Sequence, residues 1–314
     1  MSLRYLSAID MGTNSFRLII VRVHENKNFK VIDKKKELIR LAGHEGKGLS
    51  LITEDETKTA VKAIKKFKAL SDFYNAELKA VATSAVRESK NRNEFIKSIK
   101  DKTGVEIELI DGHKEAELIY KGVAYALPLE DKKAVCFDIG GGSTEFILGN
   151  KGKINFAESV KIGAVRLTKK FFPDFVVNEY SANKCSEFIE EQILSDNKIK
   201  FNCKTDIAIG SSGTILSTAN LIYYLKHGNL KKNLNKTTFT KDELNEVKDL
   251  ILSKHTLNER MRIKGLEKKR ADIIPAGILI LSKIFDLFKL ETMTVSENAL
   301  RSGIIIEMIE KLPD

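Results

Sequence analysis

The stretch AVCFDIGGGSTEFILG, residues 134–149, consists of two apolar segments separated by three consecutive glycines. Asp138 ends the first segment and Glu145 lies in the second, so two carboxylates flank the glycines. A plain hairpin needs only two turn residues of the Asn-Gly type. Three glycines cost backbone entropy on folding, which indicates that a ligand approaches the main chain closely at this turn.

The same pattern occurs earlier in the chain, within YLSAIDMGTNSFRLIIV, residues 5–21. At an offset of 128 positions the matched residues are Asp10 with Asp138, Gly12 with Gly140, Ser15 with Ser143, and Arg17 with Glu145. A second match at this offset joins LKAVATSAV, residues 78–86, to TDIAIGSSG, residues 205–213, with Thr83 opposite Ser211 and Ser84 opposite Ser212. Two ungapped matches at one offset indicate an internal duplication.

The patterning of both halves predicts an α/β fold: duplicated domains, each with a mixed sheet flanked by helices, and a cleft between them. We expect one domain at 1–124 and a second at 125–314, with a helical insertion at about 215–290 and a final helix, 297–314, that is a candidate to pack back on the first domain. Strands are predicted at 4–11, 16–24, 29–41, 78–83, 105–111, 133–139, 143–149, 153–162, 205–209 and 292–295. Helices are predicted at 53–74, where Thr53 and Glu56 form a capping box, from 91, and at 113–126 and 179–195.

Composition restricts the class of protein. The 314 residues contain no run of roughly 18 apolar residues and no recognisable signal peptide, so we expect a cytoplasmic protein that does not enter a membrane. Cys136, Cys185 and Cys203 have no metal-binding spacing, which predicts reduced thiols and no zinc site. A net charge of +10 favours polyanionic partners, although no sequence-specific nucleic-acid motif accompanies it.

The glycine turns predict phosphate binding, because consecutive backbone N–H groups form an anion-binding concavity. The first turn adds Thr13, Asn14 and Ser15, the second adds Ser143 and Thr144, and GSSGT, residues 210–214, offers a third site. Charged residues at the end of an apolar strand are costly unless they have a partner. Mg²⁺ takes one or two carboxylates together with substrate phosphates, so Asp138 and Glu145 are candidate metal ligands, with Asp10 as a third.

Seven motifs together resemble the exopolyphosphatase and guanosine pentaphosphate phosphohydrolase family, within the ribonuclease H-like superfamily of actin, Hsp70 and the sugar kinases. The motifs are AIDMGTNSFRL, ATSAVRES, IDGHKEAELI, FDIGGGSTEF, KIGAVRL, GSSGT and RADIIPAGILIL. They occur in the family's order across nearly the whole chain. The glycine turns are shared across the superfamily, whereas GHKEAELI and RADIIPAG select this family.

The resemblance implies a role for each matched residue. Glu115 is implied to be the general base, and Asp138 and Glu145 to bind metal and position water. The implied phosphate contacts are Gly12, Thr13, Asn14, Ser15, Arg17, Arg87, Gly140, Gly141, Ser143, Ser212, Gly213 and Thr214. Lys114 stands where family members often have a second glutamate, which leaves open whether Glu117 takes part in catalysis. The roles of Arg166 and Arg270 are also left open.

The expected reaction is metal-assisted hydrolysis of a terminal phosphoanhydride of inorganic polyphosphate or guanosine pentaphosphate. The end of the chain, EMIEKLPD, resembles the short, two-domain form of the family. Three alternatives remain at this point: an ATP-dependent kinase, an actin-like or Hsp70-like nucleotide switch, and a sensor that binds guanosine tetra- or pentaphosphate. The choice between the two substrates and the formation of a homodimer are left open.

Overall fold

The computed structural model describes residues 4–41, 51–195, 199 and 205–313. The strands are β1 (Arg4–Met11), β2 (Ser15–Val23), β3 (Phe29–Leu38), β4 (Glu77–Ala82), β5 (Ile107–Leu109), β6 (Lys133–Ile139), β7 (Thr144–Asn150), β8 (Lys153–Val160), β9 (Ile207–Ser211), β10 (Thr238–Thr240) and β11 (Thr292–Val295). The helices are α1 (Glu54–Phe73), α2 (Ser84–Arg87), α3 (Arg92–Thr103), α4 (Gly112–Ala126), α5 (Ala164–Phe171), α6 (Glu179–Leu194), α7 (Ser212–His227), α8 (Lys241–Leu252), α9 (Leu257–Arg260), α10 (Ile274–Leu287) and α11 (Leu300–Glu310). The chain forms two compact units: unit 1 is Met1–Gly122 with Leu300–Asp314, and unit 2 is Val123–Ala299.

Unit 1 is built on a five-stranded mixed sheet in the order β3-β2-β1-β4-β5. The first three strands are an antiparallel meander, and β4 and β5 continue parallel to β1. The predicted Thr53–Glu56 capping box begins α1, with Glu56 N–H donating to Thr53 Oγ1 at 3.2 Å. The apolar face of α1, including Ile64 and Phe67, then packs into the core of this unit.

The last helix, α11, belongs to unit 1 although it follows the whole of unit 2 in sequence. Gly303 permits this packing, because a Cβ there would overlap the carbonyl of Leu118 in α4. Three ion pairs join the helix to the rest of unit 1: Glu307 pairs with Lys79 at 2.7 Å and with Lys114 at 2.5 Å, and Glu310 pairs with Lys121 at 2.7 Å. Helix α11 is therefore fastened to unit 1 by close backbone packing and by charge.

Unit 2 repeats the sheet of unit 1 and adds one strand. Its order is β10-β11-β9-β6-β7-β8, in which β6, β7 and β8 form the antiparallel meander and β9 and β11 lie parallel to β6. Strand β10 pairs antiparallel with β11 at the edge. The five shared strands occupy corresponding places in the two sheets, which confirms the duplicated architecture predicted from the 128-residue offset.

Three features of unit 2 differ from the sequence predictions. Helix α5, in the segment GAVRLTKKF, and the three-residue strand β10 were not predicted. The GSSGT segment is not a separate turn, because β9 ends at Ser211 and α7 begins at Ser212. The chain makes this abrupt change with Ser212 at φ 99°, a conformation that residues with a side chain rarely adopt.

Cys136 and Cys185 are buried free thiols, and burial raises the pKa of Cys185 to about 12. Cys203 lies outside the described residues. Within the described ranges, no helix has both the length and the apolar character needed to span a membrane.

Candidate active site

In unit 1 the paired strands β1 and β2 place Asp10 directly opposite Arg17. Arg301, on α11, is a second guanidinium beside the same carboxylate and donates weakly to Leu18 O at 3.5 Å. Burial raises the pKa of Asp10 above its ordinary value, and the charges of Arg17 and Arg301 oppose that rise. Burial also lowers the pKa of Arg301 to about 10, with Arg17 acting in the same direction. Asp10 therefore lies in an arginine-rich environment.

The β1–β2 turn contains four predicted phosphate contacts, of which Thr13 and Ser15 are buried. Thr13 Oγ1 is 3.0 Å from Ser84 Oγ, so the turn is joined to the beginning of α2. Asn14 O accepts the N–H groups of two residues after β3, and Asn14 Nδ2 is buried with no hydrogen-bond partner among the described residues. A Cβ on Gly12 would lie 3.3 Å from Ser15 O. An unpaired buried amide donor in this turn is consistent with an anion-binding role.

Glu115 is a buried carboxylate of unit 1, with 7% of its surface exposed. Its position follows from the start of α4, where Asp111 Oδ1 caps the helix by accepting from Lys114 N–H at 2.7 Å. Arg87 Nη1 donates to Glu115 Oε2 at 3.1 Å and to Ile110 O at 2.9 Å. The structure thus places Arg87 beside Glu115, while its contact with phosphate stays a prediction.

Glu117 lies outside this buried pair. It is one-third exposed and forms ion pairs with Lys114 at 3.2 Å and with Lys121 at 3.9 Å along α4. These contacts are typical of a solvated helix face.

In unit 2 the paired strands β6 and β7 place Asp138 directly opposite Glu145, the position that Asp10 and Arg17 occupy in unit 1. Glu145 is 1% exposed, and its Oε1 accepts the hydroxyl groups of Ser143 and Ser159, each at 2.8 Å. Ser211 Oγ donates to Asp138 Oδ2 at 2.5 Å. Both carboxylates therefore lie on one face of the sheet among hydroxyl groups.

The glycine turn between β6 and β7 is held against the start of α5. Ala164 N–H donates to Gly140 O at 3.0 Å and Val165 N–H donates to Gly141 O at 2.9 Å. Gly163 makes this contact sterically possible, because a Cβ there would overlap the Gly141 carbonyl. The turn uses its glycines for close backbone approach, since none of its residues has a positive φ.

At the start of α7 the predicted phosphate contacts are Ser212, Gly213 and Thr214. Arg270, which is buried, packs its guanidinium against Gly213 and lies 3.4 Å from Thr214 Oγ1 through Nη2. Through the contact of Ser211 with Asp138, this segment adjoins the carboxylate pair of unit 2. Arg270 thus braces the segment from within unit 2.

The carboxylate oxygens of Asp138 and Glu145 fit a divalent cation of the Mg²⁺ type, which prefers oxygen ligands. Side chains directly opposite each other on antiparallel strands have Cβ atoms about 5 Å apart. Ser143 and Ser159 both donate to Glu145, as expected for an ionised carboxylate, which only accepts. Among the residues that the structure describes, however, no three His, Cys, Asp or Glu side chains converge to hold a metal ion. Two carboxylates remain sufficient if phosphate oxygens complete the coordination.

Three contacts with these groups were not predicted from the sequence. Ser159 and Ser211 donate to the two carboxylates, and Arg301 lies beside Asp10. Arg301 left one signal, since it is the only cation of the helix LRSGIIIEMIE. Ser211 was visible in the repeat and in GSSGT, but its bond to Asp138 was not, and Ser159 left no signal, because only the pairing of strands brings these serines to the carboxylates.

The repeated sheet order and the paired turns define the duplicated ribonuclease H-like fold of the actin, Hsp70 and sugar kinase superfamily. Within that superfamily, a family model described as the Ppx/GppA phosphatase family matches residues 19–312. The chain belongs to this family, as the motifs predicted.

Individual relatives support this family assignment. An exopolyphosphatase from Cytophaga hutchinsonii, known from a crystal structure, has 30% sequence identity to this chain, with a TM-score of 0.88 over 99% of both chains. A bifunctional 3-dehydroquinate synthase/phosphatase of Fusobacterium nucleatum is 35% identical over 97% of this chain and 46% of its own length. A guanosine-5'-triphosphate,3'-diphosphate pyrophosphatase of Vibrio parahaemolyticus is 30% identical over 98% of this chain and 59% of its own length. The chain thus spans about half the length of these two relatives.

Proposed function

We propose that this protein hydrolyses the terminal phosphoanhydride bond of inorganic polyphosphate or guanosine pentaphosphate and releases orthophosphate. The observation that carries the proposal is the buried Glu115 at the start of α4, fixed by the Arg87 guanidinium at 3.1 Å. A buried ion pair is weak evidence for stability, because its desolvation penalty can exceed its Coulombic gain, so this pair is better explained by a function. Membership of a phosphatase family and relatives named for both substrates support the choice of reaction.

In the proposed mechanism Glu115 orients a water molecule and accepts its proton as the oxygen attacks the terminal phosphorus. Arg87 holds the Glu115 carboxylate in place and, with Arg17, stabilises negative charge on the phosphate oxygens. The backbone N–H groups of the β6–β7 turn and of the start of α7 bind further phosphate oxygens. Phosphoryl transfer depends mainly on such positioning and charge stabilisation.

Asp138 and Glu145 would hold a divalent cation, for which Mg²⁺ is the proposed ion, and bound there it would neutralise phosphate charge. Asp10, the third candidate ligand, lies opposite Arg17 and beside Arg301, so we propose that it pairs with these cations rather than with the ion. Its proposed role is to orient Arg17 for phosphate.

The test compares Glu115→Gln with Glu117→Gln in the purified protein. Orthophosphate release is measured from short polyphosphate, long polyphosphate and guanosine pentaphosphate, with Mg²⁺ and with a chelator. Loss of a general base typically lowers the rate by about 10²- to 10⁴-fold. We expect a kcat reduction of at least about 100-fold for Glu115→Gln, wild-type behaviour for Glu117→Gln, and no activity with the chelator.

Three other outcomes would contradict this proposal in different ways. Near-normal turnover of Glu115→Gln overturns the assignment of the base. Phosphate transfer that requires an added acceptor identifies a kinase. Tight binding of guanosine pentaphosphate without phosphate release identifies a sensor.

A further inference from the structure

The side chain of Arg166 completes a set of hydrogen bonds to the glycine turn. The carbonyls of Gly140 and Gly141 accept backbone N–H groups from the first turn of α5. The next carbonyl, that of Gly142, accepts from Arg166 Nε at 2.7 Å. Three successive carbonyls of the turn therefore point toward α5.

This arrangement fixes the direction of the neighbouring N–H groups. In a trans peptide the carbonyl of one residue and the N–H of the next point in opposite directions, and the described peptide bonds are all trans. The N–H groups of Gly141, Gly142 and Ser143 must then point away from α5. Within the described chain, those of Gly141 and Gly142 donate no backbone hydrogen bond. Consecutive N–H groups that point to one side form an anion site.

We propose that Arg166 is a positioning residue for this anion site, an inference that rests on the proposed function. The α5 backbone holds the first two peptides whatever side chain occupies position 166. The Gly142–Ser143 peptide, by contrast, is held on this side by the Arg166 side chain. If that peptide rotates, a carbonyl oxygen replaces the Ser143 N–H at the site and repels phosphate. Arg166 thus acts on phosphate through the backbone of Gly142.

The test replaces Arg166 with Met, Gln or Lys in the full chain. Tripolyphosphate is the probe, and its binding is measured by calorimetry in the Glu115→Gln background, which prevents turnover. Loss of one charge-assisted hydrogen bond predicts about tenfold weaker binding for Arg166→Met. Arg166→Gln and Arg166→Lys each keep a donor group, so their affinities for tripolyphosphate should fall between those of Arg166→Met and the parent chain, Glu115→Gln.

Two measurements separate positioning from general effects. Lys169→Met removes a charge from the exposed last turn of the same helix and should bind tripolyphosphate like the parent chain. In protein labelled with ¹⁵N-glycine, tripolyphosphate should shift the Gly141 and Gly142 amide resonances, and this shift should diminish in Arg166→Met. Thermal unfolding checks that every variant is folded.

The inference is overturned if Arg166→Met binds like the parent chain, if Lys169→Met weakens binding equally, or if the parent chain does not bind tripolyphosphate. Failure of the proposed function looks different. In that case wild type binds tripolyphosphate in an Arg166-dependent manner and releases no orthophosphate.

Discussion

Gly213, the second residue of α7, has the Arg270 guanidinium packed directly against it, and a Cβ there would overlap that group. By helix propensity alone, replacing glycine with alanine is favourable by about 1 kcal/mol. Forcing extra atoms into a packed site costs about 1–3 kcal/mol. We therefore expect Gly213→Ala to lower the free energy of unfolding, as measured by urea denaturation.

Arg270→Ala provides the control for this prediction. With the guanidinium removed, the added methyl group has space, and helix propensity should decide the sign. Gly213→Ala should then be neutral or stabilising in the Arg270→Ala background. A stabilising effect in the wild-type chain would show that Arg270 does not pack tightly against this segment.

For individual residues, the sequence identified many of the polar side chains of the candidate site but not the partners that they contact. Asp138 and Glu145 could be selected because charges at the end of apolar strands flank a glycine turn. The pairing of Arg87 with Glu115 could not, because 28 positions separate them and only the packing of α2 against the start of α4 joins them. Arg166 was visible as a motif residue, but its bond to Gly142 O depends on α5.

Among the helices and strands, α11 is an element whose packing is stabilised by ion pairs. Glu307 on this helix pairs with Lys79 at 2.7 Å and Lys114 at 2.5 Å. Burial raises the pKa of Glu307, but the hydrogen bonds from Lys114 and Lys79 together outweigh burial and bring the pKa to about 2, from an ordinary 4.5. The stabilisation that ionised Glu307 gives to the folded state is therefore complete above pH 4.5 and is lost as the pH falls toward 2.

The corresponding prediction compares Glu307→Gln with wild type by urea denaturation at pH 6 and pH 3. A pKa shift of this size corresponds to a stabilisation of roughly 3 kcal/mol. Wild type should lose more stability than Glu307→Gln between these pH values. Glu310→Gln, which removes a more exposed pair with Lys121, should behave like wild type. Equal pH dependence in wild type and Glu307→Gln would show that this network does not stabilise the fold.

Strands with clear hydrophobic patterns, for example β1 and β6, were predicted within one or two residues. This is because a half-buried strand alternates apolar and polar residues and a fully buried strand remains apolar. GSSGT was predicted to lie between a strand and a helix and does, but without separate turn residues, since β9 passes directly into α7 through the positive φ of Ser212. Strand β10 is three residues long and exists only by pairing with β11, so local pattern could not reveal it.

Across the whole molecule, one strand order is used twice with different chemistry at the matched position. Asp10 faces Arg17 in unit 1, whereas Asp138 faces Glu145 in unit 2. One copy therefore presents cations and the other presents carboxylates. The duplication was readable from sequence because the pairing register of these strands preserved the 128-residue offset without gaps.

In the proposed reaction water, directed by Glu115, attacks the terminal phosphorus. Reaction in H₂¹⁸O, followed by mass spectrometry of the products from tripolyphosphate and guanosine pentaphosphate, tests it directly. We expect one ¹⁸O atom in each released orthophosphate and none in the shortened product. Label in the shortened product, or phosphate released only after transfer to an acceptor, would show that water does not attack the terminal phosphorus.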